Sequence, residues 1–567
     1  MAAELFEHGQ NEIMTPDTPK YKTSDEVDFV VIGSGAAGGI LAKELSENGF
    51  RVVVLEQGPY LTEKDFIHDE IEVLNRDLLT NHPSLQPNTF RKTPNEKAKP
   101  QRAIAYGRLV GGTSTHFTAN FWRFHEIDFH ERSKVGPVAG STLSDWPITY
   151  DDLEPYYTKV EWEIGVSGLA GASPFDPPRS KPYPMPPLPT KSNGVIFERA
   201  ARKLGWNPFP APMAILSQPR PGRSACINCG FCLAFACEVG AKSSSLATAI
   251  RMAEKTGRCE IRPNSYVHQI ELDANGRATG AVYFDDKRNV QRQKAKAVVV
   301  CANGAETPRL LLLSANKQFP DGLANSSGYV GKNLMFNSGA MSMGVFEHPL
   351  NDYKGFAVSR ILHDFYELDP DKVGFHGGGG LDARFDITPI NFALGSLPPG
   401  SPRWGKGFKD ALAHNFTRTV EIFCHGTSLP VEDNSFSLDP DLKDAWGLPA
   451  LRMTYKDHPD DVKLSNWLNK RAAELLDAAG AEKSWSFPAG EQEFTVHLLG
   501  TCRMGNDRKT SVINSDHRTH DVKNLFLCDG SSLVTSGRGQ PTMTIEALAF
   551  RAGDRITALA KSGDLSV

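Results

Sequence analysis

Three groups of residues have types and spacings that could do chemistry. Gly33, Gly35 and Gly38 form G-x-G-x-x-G between an apolar run, VDFVVIG, and a helix-like run, AAGGILAKELSENG. Glycines so spaced permit a tight turn, and the backbone around Gly35, Ala36 and Ala37 can approach a pyrophosphate at the positive end of the helix. Glu56 closes the next apolar run, 56 − 33 = 23 positions on, where a carboxylate can accept hydrogen bonds from a ribose hydroxyl. The second group is CINCGFCLAFAC, in which Cys226, Cys229, Cys232 and Cys237 form C-x₂-C-x₂-C-x₄-C. Ferredoxin loops use C-x₂-C-x₂-C-x₃-C-P to wrap a cuboidal cluster; here the last gap is one residue longer and Glu238 replaces the proline. Iron–sulfur binding, a structural zinc or disulfide, and unmetallated thiols all stay open. The third group, His376 to Gly380 (HGGGG), resembles an oxyanion loop, but the chain has no G-x-S-x-G elbow to go with it. It reads as a flexible loop.

The elements that must position these groups follow from pattern. Val27 to Gly33 is a short β-rich strand and RVVVLEQG, Arg51 to Gly58, a second; with the helix between them they form a βαβ unit. This unit alone does not distinguish a flavin from a nicotinamide dinucleotide. Leu61 to Lys99 is polar, with two short helices expected, and the prolines from Pro174 to Pro189 mark a linker. A helix is expected near Gly194 to Leu204. AVVVCANGAETPRLLLLS, Ala297 to Ser314, reads as strand, turn and helix, and NLFLCDGSS…TIEALAFRAGDRITALA as strand, loop and long helix. Nucleotide-binding character at the start, middle and end of the chain predicts a discontinuous Rossmann-like α/β domain with an inserted α+β substrate-binding domain.

The expected divisions are an N-terminal extension (1–26), nucleotide-domain parts at 27–140, 241–335 and 495–567, a linker with the cysteines (141–240) and a substrate domain (336–494). A length of 567 residues, with 40% apolar and 23% charged residues, suits a multi-domain globular chain. The net charge of −5 makes no case for nucleic acid. No apolar run approaches the roughly 20 residues of a spanning helix, so no integral membrane protein is expected. The first residues are polar and acidic, unlike a secretory signal, which points to the cytoplasm. Nine cysteines are too few for a disulfide scaffold of this length, and the scattered five (Cys259, Cys301, Cys424, Cys502, Cys528) read as small buried hydrophobes.

Five ordered segments narrow the reading: GRLVGGTSTHFTAN, DWPITYDDLEPYY, NGAETPRLLLLS, HLLGTCRMG and NLFLCDGSS…GQPTMTIEALA. Together they resemble the glucose-methanol-choline (GMC) oxidoreductases, especially the branch with gluconate, fructose and glucoside dehydrogenase large subunits and pyranose oxidase. The resemblance runs from Val27 to Ile556 and implies bound FAD, an alcohol or sugar donor and a catalytic histidine. His497, opening HLLGTCRMG, matches that histidine; an imidazole suits removal of a hydroxyl proton while hydride leaves for flavin N5. Gln540, before Pro541-Thr542, stands where relatives carry asparagine or histidine. It keeps a donor and an acceptor but cannot serve as a second base.

The same resemblance assigns Gly111, Gly112 and Ser114 to the cofactor and gives His116 the position of a flavin-linking histidine, making FAD covalent or merely lined by the ring. It sets Val267 beside the adenine, Asp529 and Gly530 beside the flavin ring with Thr542 next to them, and Asn337 where relatives often carry histidine. Related large subunits hold a three-iron cluster near the cysteines, which would pass electrons to a partner. The implied function is therefore an FAD-dependent alcohol or sugar dehydrogenase delivering electrons to a small subunit, a cytochrome or a quinone. An oxygen-using oxidase and a non-redox flavin lyase or decarboxylase are the alternatives. A partner's export signal could carry such a chain to the periplasm.

Overall fold

The computed structural model describes residues 19–490 and 492–565, so residues 1–18 of the expected extension lie outside the described residues. The strand Val27–Ile32 is apolar at nearly every position because it is covered on both faces. It pairs in parallel with Val52–Leu55 on one side and Val290–Val300 on the other. Cys259–Arg262 extends the sheet beyond Val52–Leu55, and the late strand Leu525–Leu527 adds in parallel to Val290–Val300. Tyr266–Leu272 and Ala278–Phe284 complete seven strands through antiparallel pairings. Start, middle and end of the chain thus meet in one sheet, as the motif order predicts. The helices Ala36–Glu47 and Thr542–Lys561 pack together against it, closely enough that a Cβ on Gly553 would lie 2.8 Å from the Cβ of Glu44.

A second sheet of six strands, antiparallel throughout, has the order Lys483–Ser486, Ser338–Val345, Thr419–Gly426, Gly379–Arg384, Val358–Leu362, Phe209–Pro210. Its period of two sorts the side chains. Val420, Ile422, Cys424, Leu381 and Ala383 enter a core with Leu464, Leu468 and Leu475 of the helix Pro459–Ala479. Glu421, Phe423, His425, Asp382 and Arg384 take the other face. A third sheet joins Ser435–Lys443 and Pro449–Thr454 to Asn88–Arg91 and Lys99–Pro100.

Two expectations need correction. The segment 61–99 contains a single helical turn, Ile71–Asn75, and two strands, because the later residues pair into the third sheet instead of coiling. Nor is His376 to Gly380 a flexible loop. His376 is buried with its Nε2 3.2 Å from Glu131, and Gly379 begins a strand, where a Cβ would lie 1.9 Å from the His425 carbonyl oxygen. The glycines there serve close packing. The expected helix near Gly194 to Leu204 is present as Ser192–Lys203.

Candidate active site

One cavity of about 520 Å³ runs from the glycine turn to the second sheet. At its first end the chain leaves Ile32 through Gly33, whose φ of +92° and 2.4 Å approach of a notional Cβ to the Cys301 carbonyl both demand glycine. Gly38 does not line the cavity. It lets the helix lie on the turn, since a Cβ there would sit 2.0 Å from the Gly33 carbonyl oxygen. Gly35, Ala36 and Ala37 do line it. The helix they begin has no acidic residue in its first turn and no side-chain cap, leaving its positive end available to an anion.

Glu56 also lines the cavity, buried at the end of its strand. Ser34 donates to its carboxylate from both the backbone N–H (3.1 Å) and the hydroxyl (2.7 Å), and Gly58 donates its N–H at 3.0 Å. Burial raises its pKa, and these donors together with Arg108 oppose the shift. The Gly111 N–H donates to the Ser34 hydroxyl (3.0 Å), tying the first turn to a second one, where Ser114 Oγ donates to the Gly111 carbonyl (2.7 Å). Gly111 itself is off the cavity, whereas Gly112 and Ser114 line it.

His116 ends the short helical turn Gly112–Thr115 and faces the same space. Its Nε2 is buried with no protein partner. Burial, helped by the Lys242 charge, lowers its pKa to about 4, so the ring is neutral. Val267, Asp529, Gly530 and Thr542 also line the cavity. The Asp529 carboxylate is occupied: it accepts from the Asn303 N–H (3.1 Å), the Thr307 hydroxyl (2.5 Å) and the Ser531 N–H (2.7 Å). It therefore ties the strand end to the helix Asn303–Leu313.

His497 and Gln540 meet at the other end. Both line the cavity, and the Gln540 side chain lies within hydrogen-bonding reach of the imidazole. Burial, followed by the nearby His425, lowers the His497 pKa to about 4; Gln540 opposes the shift and Arg384 adds to it. The loop before Gln540 is clamped on several sides. Asn337 Nδ2 donates to the Ser536 carbonyl (3.1 Å), and Arg538 is ion-paired with Asp128 and, at 2.6 Å, with Glu131. Gly539, at φ +145°, abuts the Trp122 ring, 2.4 Å from where a Cβ would stand.

Sequence reasoning missed the far wall. Arg384 and Phe423 project into the cavity from adjacent strands, and Asn120 borders it from the segment after His116. Arg384 is held by Asp382, which also pairs with His425. The alternation in DARFD and EIFCHG carries a signal for half-buried strands, but nothing local says which face meets a cavity.

The four clustered cysteines border a small separate hollow beside the buried Lys242. Lys242 donates to the Cys232 (2.6 Å) and Phe235 (2.9 Å) carbonyl oxygens, while the Ala234 N–H donates to the His116 carbonyl (2.8 Å). The cysteine loop is thus built against His116. Among the described residues, however, no three His, Cys, Asp or Glu side chains converge so as to hold a metal ion. Cys229 is exposed, and burial raises the Cys226 pKa and lifts that of Cys232 to about 12. The thiols as placed do not fit an ion or cluster. The other five cysteines are buried, as expected.

Residues 27–337 and 430–549 match the N- and C-terminal family models of the GMC oxidoreductases. The chain belongs to this family. It is 36% identical to a 2-methyl-1,2-propanediol dehydrogenase of Mycolicibacterium austroafricanum, over 94% of this chain and 96% of the relative. It is 32% identical to a fructose dehydrogenase large subunit of Gluconobacter japonicus, over 94% and 98%. Among solved structures, a formate oxidase of Aspergillus oryzae superposes with a TM-score of 0.67 at 15% identity, covering 96% of this chain and all of the other. This GMC oxidoreductase is a redox enzyme, and its family implies FAD. The residues present fit that group: a glycine cradle that a Cβ would fill, an uncapped helix end, a buried carboxylate beside the turn, and an orphaned imidazole nitrogen. Among the described residues no helix is long and apolar enough to cross a membrane.

Proposed function

We propose that the chain is an FAD-dependent dehydrogenase of alcohol or sugar hydroxyls in which His497 is the base. The carrying observation is that His497 and Gln540 share one cavity with the glycine turn and Glu56. Gly33, Gly35, Ala36 and Ala37 would hold the pyrophosphate, Glu56 a ribose, and Ser114, Val267, Gly530 and Thr542 the rest of the cofactor. Bound FAD supplies a two-electron acceptor for the hydride. His497, kept neutral by its half-buried setting near His425 and Arg384, accepts the substrate's hydroxyl proton. Gln540 holds the substrate oxygen and the ring in register but takes no proton.

The experiment is anaerobic reduction of the bound flavin by an alcohol substrate. His497→Ala is expected to slow it by about 10²–10⁴-fold with the flavin retained; near-normal reduction would refute the role. Because the base must be neutral, the rate should hold steady down to about pH 5 and fall as pH drops through about 4. An ordinary histidine would lose activity near 6.5.

His116 offers a neutral, unpartnered Nε2 for linkage to the flavin 8α-carbon, and acid precipitation that leaves yellow colour in the pellet would support the bond. The fructose dehydrogenase relative is named as a large subunit, which favours a small-subunit partner and onward transfer to a cytochrome or quinone. Copurification with tagged protein tests that partner.

A further inference from the structure

Asn120 lines the cavity that holds His497 and Gln540 and is only 2% exposed. Its backbone is fixed on both sides: Phe121 donates its N–H to the Pro212 carbonyl (2.9 Å), and Ala214 donates to the Ala119 carbonyl (2.8 Å). Yet both Oδ1 and Nδ2 of the side chain are buried without a protein partner. A buried amide in that state is costly unless something in the cavity satisfies it. Because it can donate and accept at once, a hydroxyl group, which does both, matches it.

The charge lining the same cavity narrows the ligand further. Arg384 is in the wall, but its Nε donates to Asp382 at 2.7 Å, its second terminal nitrogen binds the other oxygen of that carboxylate, and its guanidinium lies 4.2 Å from the centre of the Phe423 ring. Its charge is already matched, so a substrate carboxylate would have to displace a buried ion pair. Phe117, Phe423, Phe494 and Val496 give the surrounding wall an apolar character.

The geometry points to Asn120 as a specificity-determining residue that binds a second hydroxyl of the substrate, so that neutral diols and polyols are preferred over mono-alcohols and hydroxy acids. This rests on the alcohol oxidation proposed above. The test measures anaerobic flavin reduction, in the purified flavin-bound protein, by matched pairs: 2-methyl-1,2-propanediol against isobutanol, propylene glycol against n-propanol, and glycerol against lactate. The wild type should favour the diol or polyol by roughly tenfold or more in rate over apparent Kd. In Asn120→Leu and Asn120→Ala that ratio should fall toward one while the flavin spectrum is kept. Equal rates within each pair in the wild type, or an unchanged ratio in both variants, would overturn the inference and leave alcohol oxidation standing. Loss or spectral shift of the flavin with the ratio unchanged would also overturn it, by assigning Asn120 to the cofactor. Failure of every alcohol to reduce the flavin would overturn both readings.

Discussion

Gln540 gives the site an asymmetry: one ring that can take a proton, beside one amide that cannot. Replacing it with leucine removes the group that favours the charged form of His497 and, in the mechanism proposed above, a hydrogen-bonding partner for the substrate oxygen. We expect Gln540→Leu to slow flavin reduction by about ten- to a hundredfold, in line with one lost buried hydrogen bond, which stopped-flow absorbance would show. Glu56 acts at the other end. Its carboxylate takes three N–H or O–H donors, and an amide there would point a donor of its own at one of them. Glu56→Gln should weaken FAD retention about tenfold or more, measured as flavin per protein after gel filtration. The glycine turn and Glu56 were legible in the chain because their chemistry is local, set by a handful of neighbouring residues. Asn120 and Arg384 were not, because what matters about them is which cavity the folded backbone aims them at.

Among elements, the loop carrying Gln540 shows how position is enforced. Asn337, the Asp128 and Glu131 carboxylates that pair with the loop's own Arg538, and the Trp122 ring hold it from different parts of the chain. A methyl group at Gly539 would meet the indole nitrogen of Trp122 at 2.4 Å, on a backbone at φ +145°. Gly539→Ala should therefore lower the rate of flavin reduction while leaving the flavin bound. Pairing it with Trp122→Phe, which removes the clashing atom, should restore part of the rate, as a double-mutant cycle would reveal. The role of Asn337, unassigned in the sequence, becomes plain only when Ser536 lies opposite it. The HGGGG segment misled for a related reason: a glycine run signals flexibility when nothing crowds it, whereas here Tyr366 and His425 backbone press against it.

For the whole molecule, the buried histidines contribute an acid-sensitive part of folding stability. Away from the cavity, His363 and His517 are each held at a pKa of about 3 by burial, against about 6.5 when unfolded. The unfolded chain binds these protons first as pH falls, so the contribution of these two rings to folding stability is intact above about 6.5 and is lost progressively from there toward 3. Each unit of difference is worth about 1.4 kcal/mol per group. Thermal unfolding midpoints should drop steadily across that window, and His517→Gln should flatten the slope. The meeting of early, middle and late segments in one sheet could be read from the order of motifs because each segment has its own strand and turn signature. The third sheet could not, since Asn88–Arg91 finds its partner Pro449–Thr454 far along the chain.

The strand Leu525–Leu527 lies beside Val290–Val300, which in turn borders Val27–Ile32. During synthesis the glycine turn thus leaves the ribosome well before Asp529, Gly530 and Thr542, which complete the wall of the same cavity. Flavin capture is then expected only after that later segment has joined the sheet. A chain released before Asn524 should accumulate without yellow colour even when FAD is abundant, however much of its earlier architecture has formed.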